Sequence, residues 1–267
     1  MRKDWNEILR QAANIVNSYD TPVTLRQLFY RLVSIELLEN TRSNYTMLSQ
    51  RTADARREGW FPGFIDRTRK IYEYQSFDDP QTAQEWLAHI YRRDRTEGQP
   101  YSIYLGVEKE GIVEQLRSWF GAYGIPIIAL RGYASQSYVE EVREHSIRQG
   151  RPAVFIYAGD FDPSGEDIER DFKKRADCFS EMIRIALSPE QIIDYNLPPQ
   201  MGKSTDTRAA GFIEKHGKLV QVELDALPPN VLRDLYQEEI SNFFDLSIYD
   251  EAMRQEQEDK ELLQAAL

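Results

Sequence analysis

The sequence predicts an α/β fold in which a parallel sheet carries helices on both faces, preceded by an α-rich amino-terminal part. Three observations predict it. From residue 101 onward, short apolar runs alternate three times with amphipathic segments. The apolar runs are continuous, as in strands that are buried on both faces. Before residue 60, apolar residues recur at helical spacing. The 267 residues, 41% of them hydrophobic, suffice for two domains.

The amino-terminal part predicts three helices. Apolar residues recur at helical spacing over residues 4–17. Thr24 can cap a second helix that begins near Leu25. A third helix is predicted over residues 45–59 and ends at Gly59, because glycine is the common residue after a helix end.

Residues 60–74 predict a turn followed by short extended segments. Three short helices with an extended tail are typical of helix-turn-helix and winged-helix proteins, so we predict a winged-helix DNA-binding domain over residues 1–75. Residues 76–100 predict a connector, because a helix start at Pro80 is followed by a charged break.

The second domain is predicted over residues 101–248, including a carboxy-terminal extension. Residues 249–267 predict a charged helix or a frayed tail. The alternation of strand and helix indicates a doubly wound parallel sheet. The predicted strands are 101–107, 125–130 and 152–160, and the predicted helices are 111–124, 135–150 and 164–179. Beyond about residue 187 the pattern weakens.

Composition limits the kinds of site and compartment. Cys178 is the single cysteine, which excludes an intramolecular disulfide and a cysteine metal cage, and a reduced cytoplasmic setting is expected. None of the three histidines stands at zinc-ligand spacing. No apolar run is long enough to cross a bilayer, and the first residues do not resemble a secretory signal. We therefore expect no membrane partner.

The net charge of −11 is unevenly distributed. Residues 1–75 carry 12 Lys and Arg against 9 Asp and Glu, whereas the remaining 192 residues carry 21 against 35. A basic amino-terminal part can attract nucleic acid. An acidic part can bind it where divalent cations neutralise the carboxylates. Solvated surface charge is the alternative interpretation, and composition alone favours it.

Three carboxylates stand where predicted parallel strands end. Glu108 follows the first strand, and Asp160 and Asp162 follow the third. Ligands of open α/β sheets bind beyond the carboxyl ends of the strands, and residues two apart in an extended segment point the same way. Such hard oxygen ligands suit Mg²⁺, with Mn²⁺ as an alternative. A lone Asp-x-Asp is more often a helix cap, but the combination with Glu108 favours a metal site.

Two acidic motifs carry a family resemblance. Glu108-Lys109 after the first strand and Asp160-x-Asp162-Pro163-x-Gly165 after the third resemble the Toprim domain found in the A subunit of topoisomerase VI. The meiotic double-strand-break proteins related to it share the pattern. The resemblance implies a Toprim domain that holds Mg²⁺ through Glu108, Asp160 and Asp162.

Two further segments are similar to the same family. Arg131-Gly132-Tyr133 resembles the family's Gly-Tyr-Pro turn, although Ala134 stands in place of the proline. Residues 222–227, Val-Glu-Leu-Asp-Ala-Leu, resemble a segment near the end of the Toprim domain. The resemblance thus covers most of the chain, from about residue 20 to about residue 240.

The amino-terminal part resembles the family independently. Residues 24–30, Thr-Leu-Arg-Gln-Leu-Phe-Tyr, are similar to the winged-helix segment in which an arginine stands four residues before the nucleophilic tyrosine. The resemblance implies that Tyr30 attacks a DNA phosphodiester and that Arg26, on the same helix face, holds the phosphate. On the residues alone, a core aromatic is the better interpretation of Tyr30, because its apolar neighbours already form a buried helix face.

Several basic residues are candidate DNA phosphate contacts. On the winged-helix side they are Arg51, Arg56, Arg57, Arg67, Arg69 and Lys70. Each is equally well explained as a solvated surface charge. Lys109, beside the acidic motif, either reaches a substrate phosphate or pairs with a neighbouring acid.

The resemblance implies a topoisomerase VI A-like enzyme that cleaves double-stranded DNA as a homodimer, in the cytoplasm and associated with the nucleoid. In the family, the tyrosine of one protomer works with the metal site of the other. The ATPase is a separate chain there, and this sequence contains no G-x-x-x-x-G-K-[ST] motif of its own. The alternatives are a Toprim nuclease that uses metal-activated water and a DNA-binding module without catalysis.

Overall fold

The computed structural model describes residues 4–65, 74–201 and 208–265. The main sheet consists of β1 (Ser102–Val107), β2 (Ile127–Ala129), β3 (Ala153–Ala158) and β4 (Glu181–Ala186). The helices are α1 (Trp5–Asn17), α2 (Leu25–Ser34), α3 (Arg42–Arg57), α4 (Pro80–Ile90), α5 (Glu110–Phe120), α6 (Gln136–Gln149), α7 (Pro163–Ala176), α8 (Pro189–Asp194), α9 (Ala209–His216), α10 (Pro229–Ser241) and α11 (Leu246–Ala265). β5 (Gln200–Met201) and β6 (Val220–Gln221) form a short antiparallel ribbon, and a 3₁₀ turn spans Leu224–Ala226.

All four strands of the main sheet are parallel, in the order β2-β1-β3-β4. The two central strands pair over their whole lengths, from Ser102 opposite Ala153 to Val107 opposite Ala158. Every residue of both strands is buried, which explains their continuous apolar sequence. The predicted α/β class with a parallel sheet is therefore confirmed.

Alternate side chains of the sheet pack into two separate hydrophobic clusters, one on each face. Leu105 of β1 lies in one cluster together with Leu116 of α5 and Tyr236 of α10. Tyr104 lies in the other cluster, with residues of α6 and α7 such as Phe172. Helices therefore cover both faces, as a doubly wound arrangement requires.

β4 is a strand that the sequence did not predict. It pairs in parallel with β3 and forms one edge of the sheet. Glu181 and Arg184 interrupt its apolar residues, as an edge strand with half-exposed side chains permits. Arg184 donates hydrogen bonds to the carbonyl oxygens of Gly159, at 3.1 Å, and Asp160, at 2.7 Å. This strand therefore supports the loop that follows β3.

The three predicted amino-terminal helices are present. Thr24 forms a capping box with Gln27, whose N–H donates to Thr24 Oγ1 at 3.1 Å. α3 begins at Arg42 rather than residue 45, because Thr41 caps it. Residues 60–65 contain no strand. Residues 66–73 lie outside the described part of the chain, so the extended half of the winged helix stays a prediction.

The amino-terminal helices pack directly against the sheet layer. Leu28 of α2 belongs to the same hydrophobic cluster as Ile112 of α5. A buried pair of amides joins these two helices, because Gln27 Nε2 donates to Gln115 Oε1 at 3.0 Å. α2 is thereby held beside the helix that follows Glu108.

The described residues of the predicted tail, 249–265, belong to helix α11 rather than to a frayed end. α11 packs against α4, which lies within the predicted connector. Arg95 and Glu256 form a buried ion pair at this contact, with Nη2 and Oε1 2.6 Å apart. None of the described helices is long and apolar enough to span a membrane.

Candidate active site

Parallel pairing of β1 and β3 brings two of the predicted acids together. Both strands end at the same edge of the sheet, with Val107 opposite Ala158. The Asp160 backbone N–H donates to Glu108 Oε2 at 2.9 Å. The two motifs, more than fifty residues apart in the sequence, therefore meet in one loop cluster.

Asp162, the third predicted acid, starts α7. Its Oδ1 accepts the Gly165 N–H at 2.7 Å, so it is the amino-terminal cap of this helix. A Cβ placed on Gly165 would lie 2.5 Å from the Asp160 carbonyl oxygen and 3.1 Å from Glu108 Oε2. The first turn of α7 therefore lies directly against the other two acids, and only glycine fits there.

Each acid uses one carboxylate oxygen for an internal bond. These oxygens are Glu108 Oε2, Asp160 Oδ1, which accepts the Leu224 N–H at 2.7 Å, and Asp162 Oδ1. The second oxygen of each carboxylate has no hydrogen bond or ion pair among the described residues. Within residues 4–65, 74–201 and 208–265, no three His, Cys, Asp or Glu side chains stand in a ready-made metal cluster. The donor chemistry fits a cation such as Mg²⁺, which takes a few carboxylate oxygens and keeps waters.

Burial makes Glu108 and Asp160 costly to ionise. It raises the pKa of Glu108, and the Asp162 charge adds to the effect. Burial likewise raises the pKa of Asp160 to about 7, although Lys109 opposes the shift. A divalent cation bound to these carboxylates would relieve both the burial cost and the mutual repulsion.

Lys109 lies among acids rather than on the surface. Its Nζ is 2.8 Å from Glu223 Oε2, 2.8 Å from Asp225 Oδ2 and 3.2 Å from Asp160 Oδ1. Of the two roles considered for this lysine, the structure shows the pairing with neighbouring acids. Lys109 thereby joins the loop after β1 to the 3₁₀ turn and to Glu223, the residue before it.

Arg26 and Tyr30 lie on one face of α2, as their spacing predicts, and line an open cleft of about 650 Å³. The Arg26 guanidinium pairs with the Glu223 carboxylate. Tyr30 is a buried residue, 4% exposed, whose hydroxyl hydrogen-bonds to Glu223. Burial and then the Glu223 charge raise the pKa of Tyr30, against the effect of Arg26. The hydroxyl therefore stays protonated in this state of the molecule.

Sequence reasoning missed the two acids that connect these parts. Glu223 contacts both Arg26 and Lys109 through Oε2, and Asp225 is a buried acid that contacts Lys109. Residues 222–227 were predicted only to resemble a family segment, and no role was predicted for their two acids. The available signal was the alternation of two acids with apolar residues next to a buried turn, which is unusual for a surface segment.

The predicted phosphate contacts on α3 do not line this cleft. Arg51, Arg56 and Arg57 are exposed. Arg57 pairs with Asp54 on its own helix, and the Arg56 guanidinium lies over the Phe64 ring, 5.0 Å from its centroid. Arg67, Arg69 and Lys70 fall outside the described residues. The cleft is instead lined by residues at the start of α3, namely Asn40, Thr41 and Arg42. The sequence analysis did not predict these residues as contacts.

A second cleft, of about 590 Å³, lies beside Pro163 at the start of α7. Five cationic side chains line it and outnumber its three acids: Arg170, Lys173, Arg184, Arg208 and Lys215 against Glu166, Asp167 and Glu169. Glu166 accepts hydrogen bonds from Lys215 and His216, which lower its pKa against the effect of burial. The surface next to Asp162 is therefore locally basic within an acidic half of the chain.

The chain matches no protein-family model, and comparison with the curated proteins gives no match.

Proposed function

We propose that this protein is a topoisomerase VI A-like DNA-cleaving enzyme. Tyr30 attacks a phosphodiester of double-stranded DNA, and the Toprim-type acids Glu108, Asp160 and Asp162 hold Mg²⁺ or Mn²⁺. One observation carries the proposal: Tyr30 and Arg26 line an open cleft and are joined, through Glu223 and Lys109, to Asp160 of the acidic set. Four segments far apart in the sequence thus converge on one polar cluster.

Each protein group has a role that its chemistry supports. Arg26 can grip a phosphate with two parallel hydrogen bonds once a phosphate replaces Glu223 as its partner. The Tyr30 oxygen forms a covalent bond to phosphorus, which conserves the bond energy for resealing. A divalent cation on the three acids supplies stabilisation of the negative charge on the phosphate and on the departing 3′ oxygen. Glu108, Asp160 and Asp162 would hold it through the carboxylate oxygens that make no internal hydrogen bond.

The proposal includes a homodimer, since two copies supply the two tyrosines that a double-strand cut requires, and it departs from the family's arrangement in pairing each tyrosine with the acids of its own chain. It also includes a separate ATPase chain of the topoisomerase VI B type. Strand passage needs ATP hydrolysis, and this sequence contains no G-x-x-x-x-G-K-[ST] motif for binding ATP. Because the proposed substrate is DNA, the proposal places the protein in the cytoplasm, associated with the nucleoid. The basic cleft beside α7 extends the surface on which the DNA backbone can lie.

The deciding experiment traps a covalent protein–DNA adduct and maps the attached residue. Wild type and Tyr30→Phe are incubated with supercoiled DNA and Mg²⁺ or Mn²⁺, then denatured before the DNA can be resealed. We expect an adduct on Tyr30 in the wild type and none in the variant. Tyr101→Phe, which removes a hydroxyl from a ring packed against Phe243, serves as the control and should behave as wild type.

A nuclease that uses metal-activated water is the second candidate. The burial of Tyr30 and its raised pKa favour it, because both oppose nucleophilic attack. Undiminished cleavage by Tyr30→Phe, with no protein on the 5′ ends, would establish this alternative. A DNA-binding module without catalysis is the third candidate: if the Asp160→Ala/Asp162→Ala double variant keeps the protein's DNA-dependent role in its native context, the acids are not catalytic.

A further inference from the structure

We propose that Glu223 is an additional catalytic residue. It would accept the proton of the Tyr30 hydroxyl while this oxygen attacks the phosphodiester, and this inference rests on the proposed function. A tyrosine hydroxyl is a weak nucleophile while it keeps its proton. The proposed reaction therefore requires a base in contact with the Tyr30 oxygen. None of the three metal-binding acids is in that position in the described hydrogen bonds.

Contact geometry singles out Glu223. Its carboxylate lines the same cleft as Tyr30, pairs with Arg26 one turn earlier on α2, and interacts with the Tyr30 hydroxyl. Of the described residues that line the cleft, Glu223 is the one carboxylate. The side chain is 23% exposed, so it faces the cleft in which a phosphate would lie. A base must be within hydrogen-bonding reach of the proton that it removes, and Glu223 meets this condition in the free protein.

The charged groups around Glu223 keep it ready to accept a proton. Arg26 faces it from α2, Lys109 from the loop after β1, and Asp225 from its own segment, with Asp160 beyond Lys109. Burial acts to raise the pKa of Glu223, but Lys109 and Arg26 outweigh burial and lower it. The carboxylate is therefore ionised at neutral pH.

The pairing of Glu223 with Arg26 makes the base responsive to substrate. Both side chains line the cleft, and a phosphate that enters competes with Glu223 for the Arg26 guanidinium. When Arg26 turns to the phosphate, Glu223 loses a stabilising partner and becomes more basic. Binding of the phosphodiester thus increases the tendency of Glu223 to take the Tyr30 proton at the moment when it is needed.

The step is balanced in atoms and electrons. The Tyr30 oxygen forms its bond to phosphorus while its proton passes to the Glu223 carboxylate. The bond between phosphorus and the 3′ oxygen breaks, and this oxygen leaves with the electron pair and takes a proton from water. In resealing, the 3′ hydroxyl attacks phosphorus and gives its proton back to hydroxide, the bond from phosphorus to the Tyr30 oxygen breaks, and Glu223 returns its proton to that oxygen. One residue therefore serves both directions.

The test measures single-turnover adduct formation by full-length protein on a synthetic DNA duplex with Mg²⁺. We expect Glu223→Gln to slow the adduct by about 100-fold or more near neutral pH, the usual contribution of a general base. The variant should bind DNA at least as tightly as wild type, since a negative charge has left the cleft. Glu238→Gln, an exposed residue of α10, is the matched control and should keep the wild-type rate.

The pH profile separates a base from a structural residue. Without Glu223, hydroxide must remove the proton, so the rate of Glu223→Gln should rise about tenfold per pH unit above neutrality, while the wild-type rate stays nearly flat. Glu223→Asp keeps a carboxylate and should restore a flat profile. If Gln and Asp variants are equally slow with flat profiles, Glu223 only positions its neighbours and the inference is wrong.

Failure of the inference and failure of the proposed function give different results. A wild-type adduct on Tyr30 that Glu223→Gln forms at an unchanged rate, with an unchanged pH profile, removes Glu223 from the mechanism and leaves the proposed function intact. A wild-type protein that forms no adduct, or forms it on another residue, overturns the proposed function and this inference with it.

Discussion

Substitution of Gly165 by alanine tests the packing of the acidic set without any DNA. The added Cβ would lie 2.5 Å from the Asp160 carbonyl oxygen and 3.1 Å from Glu108 Oε2. The first of these atoms belongs to the backbone, so it cannot swing aside as a flexible side chain would. The start of α7, which carries Asp162, must therefore move away from the other two acids.

Two opposing terms set the size of the effect on stability. Alanine favours a helix over glycine by about 1 kcal/mol, whereas overpacking costs about 1–3 kcal/mol. We expect a net loss of up to about 2 kcal/mol in the free energy of unfolding. The effect on metal binding should be larger, because carboxylates that move apart by a few tenths of an ångström no longer share one small cation.

Mn²⁺ binding is measured by isothermal titration calorimetry, and stability is measured by thermal unfolding. Gly211→Ala is the matched control, because Gly211 also lies within a helix but an added Cβ meets nothing within 4 Å. We expect Gly211→Ala to bind Mn²⁺ normally and to unfold at the same or a higher temperature. Wild-type Mn²⁺ affinity in Gly165→Ala would refute the metal site built from these loops.

Three further predictions follow from contacts elsewhere. Glu256→Gln leaves Arg95 buried without a carboxylate and should cost about 3 kcal/mol of unfolding free energy, measured with urea. Arg95 holds the pKa of Glu256 at about 2 against an ordinary 4.5, so the wild-type advantage over the variant should be complete above pH 4.5 and vanish as the pH falls toward 2; a constant difference contradicts this. Lys173→Ala should lower the salt dependence of DNA binding by about 0.9 in the log–log slope, while Lys174→Ala should not; equal slopes would place the DNA elsewhere. EDTA should abolish adduct formation and added Mn²⁺ should restore it, and an adduct that persists in EDTA would exclude the acids from the chemistry.

The features that the sequence predicted are those with a local or periodic cause. The central strands β1 and β3 were recognisable because burial on both faces demands unbroken apolar residues. Thr24 was recognisable as a cap because capping depends on residues three apart. The meeting of Glu108 with Asp160 was predictable because parallel strands end at one edge of the sheet.

The features that were missed depend on contacts between distant segments. Edge strand β4 has no periodic signature, because Glu181 and Arg184 suit its half-exposed position. Glu223 meets Arg26 across nearly two hundred residues of sequence, and no local pattern encodes such a pairing. The role of Lys109 was open for the same reason, since its three partners lie on two segments far from it in the sequence.

The cap at the start of α7 has a consequence for cation binding. One carboxylate oxygen of Asp162 accepts the Gly165 N–H, and the other can bind a cation. Fraying of this turn and release of the cation are therefore thermodynamically linked. Bound cation must then suppress fraying, and the amide protons of the first turn should exchange more slowly with solvent deuterium. Substitution by asparagine keeps the cap and removes the charge, whereas alanine removes both, at a further cost of about 1 kcal/mol. Hydrogen exchange at a single helix terminus thus reports occupancy of the acidic set in the absence of both DNA and turnover.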